Sequence, residues 1–216
     1  LVRGAWTTWP DDAELSLGAV LNSRAGCDDG VAIVCHGDYR RADGRPVTWT
    51  ERRGEATAAL EVLGIGRLSF LEVVSENCGN NARLDAVADA IDRAIADVKP
   101  TEVLVCLPSF NQDHTATHAA ALIAFRSGRH PTVRRLHGFE YPGNAWGPPP
   151  PTSGFVYHRV AEADVTAQVR SLRVHRSQID GRHWLEPEAA VVLARQRGAE
   201  IGSEFAVKTY LLREIA

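Results

Sequence analysis

Two five-residue runs, Val31-Ala32-Ile33-Val34-Cys35 and Val103-Leu104-Val105-Cys106-Leu107, are apolar at every position. A strand with one wet face alternates apolar and polar residues. A run that is apolar throughout must be covered on both faces, as parallel strands are when helices pack above and below them. Helix-spaced segments lie around these runs. Ala13 to Ala25 sets Leu15, Leu17, Val20 and Leu21 near one face, and Glu51 to Leu63 is stopped by Gly64. Leu84 to Val98 repeats Leu84, Val87, Ala88, Ile91, Ala94 and Ile95 at helical spacing until Pro100, and Thr115 to Phe125 is Ala-rich. With weaker strands at Leu1 to Thr8 and Arg67 to Leu71, strands and helices alternate through residue 125. That order predicts βαβ units and an α/β fold: a Rossmann-like three-layer sandwich with a mostly parallel sheet.

The pattern loosens beyond residue 125. Val133 to Phe139 reads as a strand, and Pro148-Pro149-Pro150-Pro151 as a stiff extended segment that cannot join a ladder. Phe155 to Arg159 reads as an edge strand, Asp164 to Ser177 as a helix, and Pro187 to Arg197 as a helix that Gly198 stops. Ser203 to Leu212 closes the chain as a strand or a helix. Glu72 to Ala82 is a Gly/Asn-rich loop for the surface or for a site. With no repeat and no linker, one domain is expected over residues 1–216.

Composition narrows the partners. Charged residues are 24% and hydrophobic residues 44%, which excludes a disordered chain. A net charge of -3 gives no pull toward nucleic acid. No apolar run approaches the ~20 residues that cross a bilayer, so no membrane is expected. No signal-peptide pattern is visible, although the chain begins at Leu1 without any Met, so its natural start is expected elsewhere. The four cysteines, 27, 35, 78 and 106, form no CxxC pair. They read as reduced thiols of a cytoplasmic protein rather than a zinc cluster. A small-molecule partner is expected, and a homo-oligomer is compatible with the sequence.

In a parallel sheet, ligands bind beyond the carboxyl ends of the strands. The polar residues there are Asp11 and Asp12 after the first strand, His36 and Asp38 after the second, and Ser109, Asn111, Asp113 and His114 after the strand that ends at Leu107. One Asp before a helix is explained by capping; two adjacent acids are costly unless a cation or a proton relieves them. Asp11-Asp12 with Asp113-His114 supplies a carboxylate and an imidazole for a divalent metal, and a spare carboxylate to deprotonate water. Taken alone, Asp113-His114 is better explained by a loop hydrogen bond and a helix N-cap. His118, one turn on, reads as an ordinary helix position.

These stretches resemble the LmbE-like, or PIG-L type, zinc-dependent de-N-acetylases. Trp9-Pro10-Asp11-Asp12-Ala13-Glu14-Leu15, followed by Gly18, is similar to the family's AHPDDE-type motif, and Asn111-Gln112-Asp113-His114 to its HxDH-type motif. Arg52-Arg53-Gly54-Glu55 with Leu63-Gly64, Phe139-Glu140 with Trp146, and Arg195 to Ala206 resemble later family segments. The resemblance implies hydrolysis of an N-acyl group, usually acetyl, from an amino sugar or related amide, with zinc or another divalent metal as cofactor. It implies Asp11 as general base, Asp12 and His114 as metal ligands, Asp113 as the residue that orients Asn111, and Arg52 as a substrate contact. Trp9 and His36 join Arg52 as candidate substrate contacts.

Two positions depart from the family pattern. Trp9 stands where the family has its first ligand His, and an indole nitrogen is a donor only. Asn111 replaces the first His of HxDH; it can donate to an oxyanion but cannot move a proton. Two readings are open. One is a metal-dependent hydrolase with an altered metal site, for which His36, His118 and His137 are available as replacement ligands though nothing in the sequence demands one. The other is a catalytically impaired relative that binds a sugar-like ligand or a protein partner, with Trp9 stacking on the sugar. A nucleotide-binding protein is disfavoured, since neither GxGxxG nor a Walker A loop is present.

Overall fold

The computed structural model describes residues 3–7, 9–41, 43–74, 84–126, 128–142, 147–180 and 186–216. Cys78, Trp146 and residues 75–82 of the Gly/Asn-rich loop lie outside them.

The continuous apolar runs are central strands. β2 (Gly30–His36) and β6 (Glu102–Cys106) flank β1 (Arg3–Thr7), with Ala5 opposite Val31 and Leu104. Along β2, Val31 and Ile33 face one layer while Ala32 and Val34 face the other. The first layer holds α1 (Asp12–Ser23), α2 (Trp49–Val62), α5 (Glu162–Leu172) and α7 (Glu188–Ala199). The second holds α3 (Leu84–Val98) and α4 (Gln112–Ala124). Both faces are buried, which is why neither run alternates.

β5 (Arg67–Val74) lies outside β2, and β7 (Arg135–Phe139) outside β6. The seven-stranded order is β5-β2-β1-β6-β7-β9-β8. The first five strands are parallel; β9 (Ala206–Glu214) and β8 (Phe155–Arg159) run antiparallel at the far edge. The chain steps outward from β1 to β2 to β5, then returns past β1 to β6. The direction reverses between β1 and β6, which opens a crevice at their carboxyl ends.

The α/β expectation holds, and three details differ from it. The segment after His36, which shows no strand pattern in the sequence, carries a small ribbon, β3 (Tyr39–Arg40) with β4 (Pro46–Val47). Residues 72–74, expected in the Gly/Asn-rich loop, extend β5, while the closing segment takes the strand of its two expected forms. The helix expected through Ser177 ends at Leu172, and a short α6 (Arg176–Ile179) comes after it. Cys27, Cys35 and Cys106 are free thiols. Among the described residues no helix is long and apolar enough to cross a membrane.

Two glycines show how closely the first layer packs. A Cβ on Gly18 of α1 would stand 2.6 Å from the Gln168 side chain of α5. At Gly198 in α7 it would meet the Ser203 and Glu204 carbonyl oxygens, each at 2.6 Å, where the chain folds back over the helix end. Backbone oxygens cannot swing aside, so Gly198→Ala is expected to cost about 1–3 kcal/mol. Gly54, exposed within α2, has open space where a methyl group would stand, with nothing within 4 Å. There Gly→Ala is expected to stabilise by about 0.5–1 kcal/mol. Urea midpoints of the two variants, moving in opposite directions, check both expectations.

Candidate active site at the sheet switch point

Asp11 and Asp12 stand where β1 hands over to α1. Asp11 occupies the N-cap position, yet its side chain makes no capping bond, so capping does not explain it. Its backbone is left-handed, with φ 104° and ψ -26°, a conformation that costs a non-glycine residue on the order of 1–3 kcal/mol. Asp12 is buried and turns back: its Oδ2 accepts from the Trp9 amide at 2.8 Å.

The opposite wall comes from the turn after β6. Asn111 caps α4, its Oδ1 accepting from the Asp113 amide at 2.9 Å. Ser109 Oγ accepts from the Asn111 amide at 3.0 Å and lies 2.7 Å from His114 Nδ1. That contact fixes the ring, whose Nε2 lies 3.4 Å from Asp12 Oδ2. Tyr141, just beyond β7, stacks on the imidazole with centroids 4.4 Å apart. Burial pulls the His114 imidazole down, but Asp12, Asp11 and Asp113 outweigh it and hold it above its ordinary value.

Arg52 reaches in from the first turn of α2, a helix capped by Thr48. It is 4% exposed. Its Cζ stands 4.6 Å over the Trp9 ring and 5.6 Å over Tyr39. Nη2 donates to the Pro10 carbonyl at 3.4 Å and lies 3.9 Å from Asp11 Oδ1. The Asp11 carboxyl is pushed up to about 7, chiefly by burial and then by Asp12, while His175 and Arg52 pull it partly back.

Trp9, Asp11, Asp12, Arg52, Asn111, Asp113 and His114 thus converge from the β1–α1 corner, the first turn of α2 and the start of α4. The histidines expected as stand-ins are engaged elsewhere. His36 packs against Trp49 at 5.5 Å, His118 Nδ1 bonds the Cys106 carbonyl at 2.8 Å, and buried His137 lies between Glu102 and Thr209. Two residues of the region carry no signal in the motifs, Tyr141 and His175. His175 is fully buried behind α1, with Nε2 3.1 Å from Glu14 Oε1. A Glu on the inward side of α1 was the available signal, since a buried carboxylate needs a partner.

Zinc can be tested against this donor set. At usual bond lengths, two ligands of a tetrahedral ion sit roughly 3.3–3.5 Å apart. Asp12 Oδ2 and His114 Nε2, 3.4 Å apart, meet that spacing. A catalytic zinc takes three protein ligands. Among the described residues no group of three or more His, Cys, Asp or Glu side chains is gathered for a metal, and Trp9 offers no lone pair. The set is one donor short and does not fit a catalytic zinc.

The raised Asp11 carboxyl predicts a pH-dependent cost. The folded state favours the protonated form, so this group's contribution is fully present below pH 3.8 and is lost as pH rises toward 7. Asp11→Asn removes the charge and tolerates the same backbone. It is expected to be more stable than the native chain at pH 8, by on the order of 1–4 kcal/mol, with the gap closing by pH 4. Denaturant titrations at the two pH values read this directly.

No curated protein matches the chain. A deacetylase of the teicoplanin biosynthesis pathway superposes with a TM-score of 0.78 at 21% identity over 99% of each chain. The zinc-inhibited form of teicoplanin deacetylase gives 0.77 at 21%, again over 99% of each. N,N'-diacetylchitobiose deacetylase from Pyrococcus horikoshii gives 0.75 at 14%, covering 98% of this chain and 84% of that one. At these identities the likeness is one of fold. The sequence pattern of the GlcNAc-PI de-N-acetylases (PIG-L) matches residues 7–125, from the end of β1 through α4, and so takes in both walls of the site. The chain belongs to the PIG-L family of deacetylases, a family of hydrolases.

Proposed function

We propose that this chain hydrolyses an N-acyl group, acetyl in the first instance, from an amino sugar or related amide. The observation that carries the reading is the meeting of Asp11-Asp12 with His114 at the β1/β6 switch point of a PIG-L family chain. In this reading the Asp11 carboxylate takes a proton from water as the water oxygen adds to the amide carbon. The developing oxyanion is met by N–H donors from Arg52, His114 or the Asn111 amide nitrogen, whose oxygen is already used as the cap. Collapse breaks the C–N bond, and the proton goes to the leaving amine, yielding a carboxylate and a free amine. Asp113 steadies the turn. Zinc is the metal the family resemblance implies; with two donors present it carries no step here.

Room for a sugar adjoins the site. A groove of about 270 Å³ runs from Leu107, Pro108 and Tyr141 along Pro148–Pro151 to Arg197 of α7. Teicoplanin and diacetylchitobiose deacetylases share this fold, and a substituted amino sugar suits a groove that mixes flat apolar rings with the Glu140–Arg197 pair. Trp9 and His36, which do not line that groove but follow β1 and end β2, are proposed as further contacts of the amino sugar.

A second reading has its own support. Arg52 over Trp9 occupies the corner that the family resemblance gives to a metal ligand, and such a chain would bind a sugar amide without cleaving it. Amine release from N-acetylglucosamine and its simple glycosides separates the two. Turnover is expected in the native chain, and Asp11→Asn is expected to lower kcat by about 10²–10⁴-fold with KM little changed. Saturable binding without amine release would replace the first reading with the second.

A further inference from the structure

Two carboxylates held in one buried corner need countercharge. Here each acid has a base of its own. Asp11 Oδ1 faces the Arg52 guanidinium at 3.9 Å, and Asp12 Oδ2 faces His114 Nε2 at 3.4 Å while accepting the Trp9 amide. Arg52 is held for this purpose. Its guanidinium lies over the Trp9 ring, with Tyr39 further off, and donates to the Pro10 carbonyl just before Asp11. A guanidinium cannot lose its proton, and it is readily seated on an aromatic face. Trp9 therefore does two things at once. It supplies the seat for a permanent organic cation, and it withholds the third donor that a divalent ion requires.

We propose that this site is metal-independent: Arg52, seated on Trp9, fills the place in the charge balance that a divalent cation would take, and Trp9 excludes zinc. The positive charge presented to a bound amide, or to the carboxylate it leaves, is then a guanidinium. Metal exclusion of this kind holds whether or not the chain turns over substrate.

The test uses the full chain and two variants, each loaded with excess zinc chloride, desalted, and measured for metal content and by zinc titration calorimetry. Trp9→His adds a nitrogen donor beside Asp12 and His114. Trp9→Phe keeps a ring under Arg52 and adds no donor. The native chain and Trp9→Phe are expected to hold substoichiometric zinc and to show no rise in thermal midpoint on zinc addition. Trp9→His is expected to bind zinc stoichiometrically, more than about 100-fold tighter, and to gain thermal stability from it. Stoichiometric zinc in the native chain overturns the proposal. So does a Trp9→Phe variant that binds as tightly as Trp9→His, or a folded Trp9→His variant that binds none. Amine release is a separate readout, so a failure of hydrolysis and a failure of metal exclusion cannot be confused.

Discussion

Two adjacent carboxylates at the start of a buried helix repel each other and resent desolvation, and much of the surrounding structure answers that cost. Neither Asp11 nor Asp12 is used as a helix cap by its side chain in the usual forward sense. One accepts backward from the Trp9 amide, and the other is held in a left-handed backbone conformation. Such a conformation persists only where neighbours over-determine it. Here Arg52 of α2 and His114 of α4 close on the two acids from separate layers of the fold.

The helix that carries the acids is fixed from behind. Gln168 of α5 donates its amide to the Glu14 and Leu15 carbonyls at 2.8 and 3.0 Å, and it comes close enough that only a glycine fits at position 18. Glu14 and His175 form a pair that is almost fully buried, at 3.1 Å. Burial alone would pull the imidazole down, but Glu14, Asp11 and Glu55 outweigh it and hold it above its ordinary value. A pair of this kind adds little net stability against an apolar alternative, but removing one member leaves an uncompensated buried charge. Its effect is to fix the rotation of α1, and the rotation of α1 decides where Asp11 and Asp12 point. The family pattern ends at residue 125, yet Gln168 and His175 show that the later part of the chain holds the site in register.

The central strands were legible because burial on both faces leaves an unbroken apolar run. The helices of the first half were legible because one face is apolar at helical spacing. The β3–β4 ribbon was not, since two-residue strands such as Tyr39–Arg40 and Pro46–Val47 show no alternation. β9 stayed ambiguous for a related reason: it lies between two antiparallel neighbours, and its burial pattern along Ala206–Glu214 obeys neither simple period. At the site, Asp11, Asp12 and His114 could be gathered from the polar residues at the carboxyl end of each strand. Tyr141 and His175 could not, because their roles depend on contacts across 27 and 161 positions of sequence, His114 to Tyr141 and Glu14 to His175. Capping, open to either Asp from the sequence, does not account for Asp11, which stands at the N-cap in a left-handed conformation and makes no side-chain capping bond.

Position 9 has the widest consequences for its size. A histidine there would add a lone pair beside Asp12 and His114; the tryptophan offers a π-face and an N–H. The acids have countercharge within the chain itself, with Arg52 3.9 Å from Asp11 and His114 3.4 Å from Asp12. Arg52 sits on a helix of its own and needs only a flat, electron-rich surface to rest on, which an indole gives better than an imidazole. Two adjacent carboxylates at such a corner, one buried and one partly so, need positive charge nearby. Here the side chain that offers no donor is also the one that seats the Arg52 guanidinium, at 4.6 Å. The Asp pair, the Trp9 ring and Arg52 therefore form one electrostatic unit, and the chemistry open to this chain is set by that unit as much as by the fold it shares with its relatives.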